Sequence, residues 1–185
     1  MKTLRLPFGI RGKQVLPITV VSVIVLLAAY VMLLNHEESL IEKQYRELRT
    51  TNSELYLSKI MQARGFRTFL KEYLKIHDYS RPVAEVPDFL VGRWAMFEKE
   101  QRVSDYFVPD SCHKALEIED GELKILGDHN AAYPALYSMD GTIVTAHLTG
   151  AKDARIQVIG YGSHLHHIKI YLPGLDQPRY GYICH

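Results

Sequence analysis

Twenty consecutive residues without a charge, Val15 to Leu34 (VLPITVVSVIVLLAAYVMLL), constrain this chain more than anything else in it. A helix rises about 1.5 Å per residue, so the run covers roughly the 30 Å of a bilayer's hydrocarbon core. Pro17 falls in the first turn, where a missing N–H does no harm, and Tyr30 near the other end suits an interfacial aromatic. Lys2, Arg5, Arg11 and Lys13 precede the run, and the first acidic residue is Glu37. The positive-inside rule then leaves residues 1–14 in the cytoplasm and exports the remainder. A cleaved signal peptide is the alternative. Its core would be unusually long, and Leu33-Leu34-Asn35-His36 lacks the small residues a signal peptidase needs. The expectation is a single-pass, type II signal anchor over 15–34.

Across all 185 residues, Lys+Arg 22 against Asp+Glu 21 leaves a net charge of +1. That balance gives no electrostatic footprint for nucleic acid. Apolar residues at 47% and charged ones at 23% exclude wholesale disorder.

Residues 35–79 read as a juxtamembrane helical segment. From Glu37 to Tyr79 there is no proline, one glycine and an abundance of good helix formers. Ile41, Tyr45, Leu48 and Leu55 keep a three-four spacing for about two heptads, which is too short for a coiled coil. Gly65 marks a break or kink. Beyond it Phe66, Phe69, Leu70, Tyr73 and Leu74 form an apolar face that must be buried, either on the chain's own C-terminal domain or on a partner's helix. It is the candidate partner-binding face. Pro82 ends the helical stretch, and residues 80–87 read as an extended linker.

From residue 88 to 185 the period changes to two. Lys114 to Leu126 is a pair of alternating runs around Asp120-Gly121, a strong hairpin signal, and Asp140-Gly141 provides another. Glu117, Glu119, Glu122 and Lys124 form the solvated face of the first hairpin. Further strands are expected at Leu90–Glu98, Arg102–Val108, Arg155–Gly160, His164–Leu172 and Arg179–His185. Short antiparallel strands in this number favour a small meander barrel, because closure removes exposed edges. The fold class is mainly β, behind a membrane helix and a juxtamembrane helix. Outside the cytoplasm, Cys112 and Cys184 would form a disulfide tying the last strand to an early one, contributing roughly 4 kcal/mol through loop closure. The chain has no glycosylation sequon, which favours a bacterial periplasm.

Gly92-x-Trp94, at the start of the β-region, resembles the first-strand signature of lipocalin-like (calycin) barrels. The resemblance covers residues 88–185 and rests on three letters. It implies a barrel floor closed by Trp94, with Arg179 near the last strand packing across it, and it accords with a cysteine bridge near the C-terminus. The whole layout is similar to the ToxS-like periplasmic accessory proteins of ToxR-type regulators. That likeness implies an exported barrel that pairs with a regulator's periplasmic domain and responds to small amphipaths or pH.

Seven histidines fall in the β-region: His113, His129, His147, His164, His166, His167 and His185. Strict alternation puts His164 and His166 on the face of Ile168 and Ile170, with His166 pointing inward, and His167 on the opposite face with Lys169. Three readings stand for His164 and His166 with His147: hydrogen-bonded strand-end residues, a pH-responsive group, or part of a metal site lacking an assured third ligand. Protonating all nine histidines would carry the exported part from −3 toward +6. No Gly-x-Ser-x-Gly elbow, His-Glu-x-x-His or phosphate-binding loop is present, so no enzyme, cofactor or metal is expected.

The functional expectation is a membrane-embedded accessory or sensor in the bacterial inner membrane. It would bind and stabilise the exported domain of another single-span membrane protein, tuned by pH or a small amphipathic ligand. The alternative is a bitopic structural subunit of a secretion, pilus or other envelope assembly.

Overall fold

The computed structural model describes residues 15–101, 107, 109–127 and 130–184. The expected cytoplasmic tail, the strand expected at Arg102–Val108, His129 and His185 lie outside the described residues or largely so. The chain divides into two compact units, Met1–Asn52 and Ser53–His185.

The first unit is built on one helix, α1 (Val15–Thr51). From Val20 onward it is long and apolar enough to cross a membrane, and none of its apolar window is buried. No break separates the uncharged run from the charged residues after Leu34, because nothing between Asn35 and Thr51 interrupts helical hydrogen bonding. Instead, hydroxyls bond back to carbonyls one turn earlier: Ser39 to His36, and Thr51 to Glu47.

The second unit opens with α2 (Ser53–Arg64) and α3 (Phe66–Ile76). The helical segment expected over 35–79 breaks at Gly65 as expected, and again at Asn52, which the sequence pattern does not mark. The two compact units divide after Asn52, so α2 and α3 belong to the same unit as the barrel. The cause is burial: Tyr56, Leu57, Ile60, Phe66, Phe69, Leu70 and Tyr73 are all buried within the second unit. After a 3-10 turn at Asp88–Leu90 come eight strands. They are β1 (Gly92–Phe97), β2 (Ala115–Glu119), β3 (Glu122–Leu126), β4 (Ala131–Asp140), β5 (Ile143–Leu148), β6 (Ala154–Tyr161), β7 (His164–Tyr171) and β8 (Arg179–Ile183). Each pairs antiparallel with the next and β8 returns to β1, closing the barrel in simple meander order. This is the architecture the lipocalin resemblance implied.

The inward alternation predicted for the apolar strand residues holds. Leu116, Ile118, Leu123, Val144, Ile156, Ile168 and Ile170 are fully buried. On the outer face Arg93, Glu117 and Lys124 stand in register across β1, β2 and β3. The Arg93 guanidinium lies 3.2 Å from Glu117, and the Lys124 ammonium lies 2.7 Å from Glu119.

Trp94 is buried at one end of the barrel, where its indole N–H donates to the Leu90 carbonyl at 2.9 Å. Gly92 has φ +127, a conformation that side chains rarely adopt, and a Cβ there would meet Ile183 at 3.3 Å. The Gly92-x-Trp94 spacing thus lets the chain turn tightly into β1 and drop the indole onto the floor. α3 covers the same end. The Phe66 N–H donates to Gly162 O at 2.8 Å, and Phe89 packs edge-on against Phe66, Phe69 and Tyr73.

Two expectations are corrected here. The face of Phe66, Phe69, Leu70, Tyr73 and Leu74 is not a free partner-binding surface: the first four are buried in their own domain and Leu74 is half-buried. Nor does Arg179 pack across Trp94. It pairs with Glu98 at 3.0 Å, while the β8 neighbour of Trp94 is Ile183, four residues further along. Antiparallel register puts Arg179 at the other end of β1.

Residues 80–87, expected as an extended linker, are held against the barrel by hydrogen bonds. Val83 exchanges backbone hydrogen bonds with Tyr137, and the Asp120 carboxylate accepts the Val86 N–H at 2.9 Å. The turn that makes the first hairpin also clamps this segment.

Candidate functional site

Among the described residues, three constellations besides the Lys124 ion-pair cluster bring polar groups together outside the apolar core. The first is at the barrel mouth, the end opposite Trp94. β1 ends there at Phe97, β2 begins and β3 finishes. A cleft of about 310 Å³ is lined by Met96, Glu98, Lys114, Ile125, Leu126, Gly127 and Arg179. Its walls are apolar and its rim carries two cations and a carboxylate, with Arg179 and Glu98 paired. The size sits at the lower end of small-ligand pockets.

The second lies on the outer face of β7 and β8, where Glu100, Gln101 and Phe107 of the connection from β1 to β2 meet it. The Cys112–Cys184 disulfide anchors that connection to the end of β8. Tyr182 holds it as well, its hydroxyl accepting the Gln101 N–H at 2.9 Å. Phe107 packs edge-on against Phe97 and Tyr182. Beneath lies His167, 1% exposed, stacked on the Tyr182 ring.

The histidine assignment from alternation is corrected at this point. A bulge interrupts the β6–β7 ladder: Ile159 pairs with His167 and Gly160 with Leu165, so His166 is passed over. Leu165 takes the register position that alternation gave to His166. The His166 ring lies instead against His167, Nδ1 to Nδ1 at 2.8 Å, and against Tyr161. His164 is exposed beside the β6–β7 turn. The buried histidine is His167, which the alternation pattern treated as one of an outward polar row. No local signal could have marked it, because its cover comes from a distant loop.

Burial pushes the His167 imidazole below its usual value, with the nearby Glu100 carboxylate opposing and His166 reinforcing. Its Nε2 makes no hydrogen bond, although the Glu100 carboxylate lies 3.4 Å away. A depressed folded-state pKa means that the unfolded chain binds the proton more readily. Stability is therefore complete above about pH 6.5 and declines as pH falls from there toward the folded-state value. The thermal midpoint should drop on acidification below about pH 6.5, and His167→Gln should flatten that slope. An unchanged slope in the variant would remove His167 as the cause.

The third constellation surrounds His147, on the outer face of β5. His147 Nε2 lies 2.8 Å from Ser138 Oγ on β4, and Nδ1 lies 2.9 Å from the carboxylate of Asp153, just before β6. His147 is thus joined to neither His164 nor His166. Thr145 faces Ser138 directly, Arg155 faces Thr145, and Tyr171 faces Arg155, so one row crosses four strands. Beside it a groove of about 340 Å³ is lined by Ile143, Arg155, Gln157 and Tyr171. Sequence separations of nine and six hide the three residues from motif searches. Only the hairpin register and the loop before β6 bring them together.

Among the described residues no three His, Cys, Asp or Glu side chains gather as a metal would require. No protein-family model matches the sequence, and neither a curated protein nor a solved structure matches it.

Proposed function

We propose that this protein is a membrane-anchored accessory or sensor, similar in plan to the ToxS-like proteins, with its barrel on the periplasmic side of a bacterial inner membrane. It binds and stabilises the exported domain of another single-span membrane protein, and a small anionic amphipath in the barrel mouth sets the strength of that grip. The observation that carries this reading is the cleft itself. Met96, Ile125 and Leu126 offer apolar contact beneath a rim bearing Lys114, Glu98 and Arg179. Such a site favours a short apolar body with an anionic head. The helix face first considered for the partner is buried, so docking falls to the barrel's outer surface, where Leu136, Ile143 and Tyr171 are each more than two-fifths exposed.

The probe for the cleft is anilinonaphthalene sulfonate, titrated into the full-length chain in detergent micelles with free micelles as reference. Saturable binding at one site is expected. Met96→Trp, which fills the cleft, and Lys114→Glu, which reverses a rim charge, should each weaken it roughly tenfold or more. Binding that neither variant alters would exclude the mouth as a ligand site. Crosslinking in intact cells tests the partner.

One observation favours a structural subunit as a second reading: Leu40 and Ile41 on α1 are about half exposed beyond the uncharged run. Helix–helix association through these positions would suit an envelope assembly. Polar substitution at both should then abolish a crosslinked oligomer while leaving probe binding intact.

A further inference from the structure

We propose that Ser138, His147 and Asp153 form a nucleophilic relay on the outer face of the barrel, acting on short-chain carboxylic esters. This goes beyond the accessory reading and is independent of the mouth cleft. The order of contacts carries it. The Asp153 carboxylate on Nδ1 holds the proton at that nitrogen, which leaves Nε2 bare to take the Ser138 proton across 2.8 Å. The loop that supplies Asp153 follows β5 directly, so the orienting carboxylate and the base belong to one short connection. Ser138 sits mid-strand, and the amides on either side of it are occupied, Tyr137 N–H donating to Val83 O and Met139 N–H to Tyr79 O. Donors to a developing oxyanion are therefore side chains: the Thr145 hydroxyl directly opposite and the Arg155 guanidinium one strand further. Ile143 and Tyr171, on the walls of the adjoining groove, supply apolar contact for an acyl chain.

The step balances without a further reactant. Ser138 Oγ bonds to the ester carbonyl carbon as its proton passes to His147 Nε2. The tetrahedral adduct collapses, the ester C–O bond breaks, and the leaving alcohol takes the proton from His147. Water, with His147 as base, then attacks the acyl-serine, releasing the carboxylic acid and restoring the hydroxyl. Ser138 and His147 are the catalytic residues, and Asp153 is a positioning residue.

The test uses the full-length chain in detergent, a fluorophosphonate probe and p-nitrophenyl butyrate. A single adduct is expected, mapped by mass spectrometry to Ser138 and absent in Ser138→Ala. His147→Gln should slow labelling roughly 100-fold. Asp153→Asn should lower kcat about tenfold or more with KM little changed and should also shift the pH profile of kcat, which a reduced fraction of folded enzyme would leave where it is. Thr145→Val should lower kcat likewise. Thermal midpoints of all variants are measured alongside. A natively folded wild type that takes no label, a label mapped elsewhere, or ester turnover that survives Ser138→Ala would each overturn the proposal.

Discussion

Gly160→Ala should lower the stability of the barrel domain by about 3 kcal/mol or more, the range of a large aromatic lost from a core. A Cβ at this position would fall 2.1, 2.6 and 2.9 Å from three atoms of the Phe66 side chain. Those atoms cannot swing aside freely. The Phe66 backbone is held by its hydrogen bond to Gly162 O, and its ring is wedged between Phe69 and Phe89. Either β6 shifts or Phe66 leaves the barrel's floor and uncovers the aromatic cluster. Chemical denaturation of the wild type, both single variants and the pair Gly160→Ala/Phe66→Ala distinguishes the cause. The pair should be much less destabilised than the sum of the singles, because the clash vanishes with the ring. Strict additivity would show that α3 does not close the barrel through this contact.

Loss of the Cys112–Cys184 bridge comes second. The two cysteines are 72 residues apart in sequence, and closing a loop of that length is worth roughly 4 kcal/mol by chain entropy. For a domain of this size the unfolding midpoint of Cys112→Ser/Cys184→Ser should fall on the order of 10 °C. The loss should also be felt locally. The bridge fastens the β1–β2 connection beside Tyr182, and that connection covers His167. Limited proteolysis should cut it faster in the variant than elsewhere in the domain. A midpoint unchanged by reduction would mean that the loop is held by its side-chain contacts alone.

The two predictions concern residues of very different visibility. The cysteines announced themselves, since two thiols in a chain with an apolar N-terminal run point to a bridge. Gly160 did not. It reads as no more than the last residue of the expected strand Arg155–Gly160, and its role depends on a phenylalanine ninety-four positions earlier in the chain. The same holds for His167. Alternation assigned it correctly to the outward row with Lys169, yet outward is not exposed when a disulfide-held loop lies over the sheet. The bulge at His166 was equally hidden, because period two cannot register one extra residue. The apolar face of α3 was recognised for what it had to do, which was to be buried, but its amphipathic pattern carries no information about what buries it.

What the amino-acid order determined by itself was everything governed by local periodicity and turn chemistry. That includes the apolar helix, the helical stretch with its break at Gly65, the two Asp-Gly hairpins, and an all-β region of short antiparallel strands. These follow from hydrogen bonding and burial within a few residues, so they can be read from the residues in hand. The tertiary structure alone decided which surfaces remain open: α3 seated on the barrel floor, Arg179 with Glu98 at the mouth, His167 under its loop, and Ser138, His147 and Asp153 within hydrogen-bonding reach. Each of those depends on register and loop closure between distant segments, where the free energy lies in packing that no single stretch of chain contains.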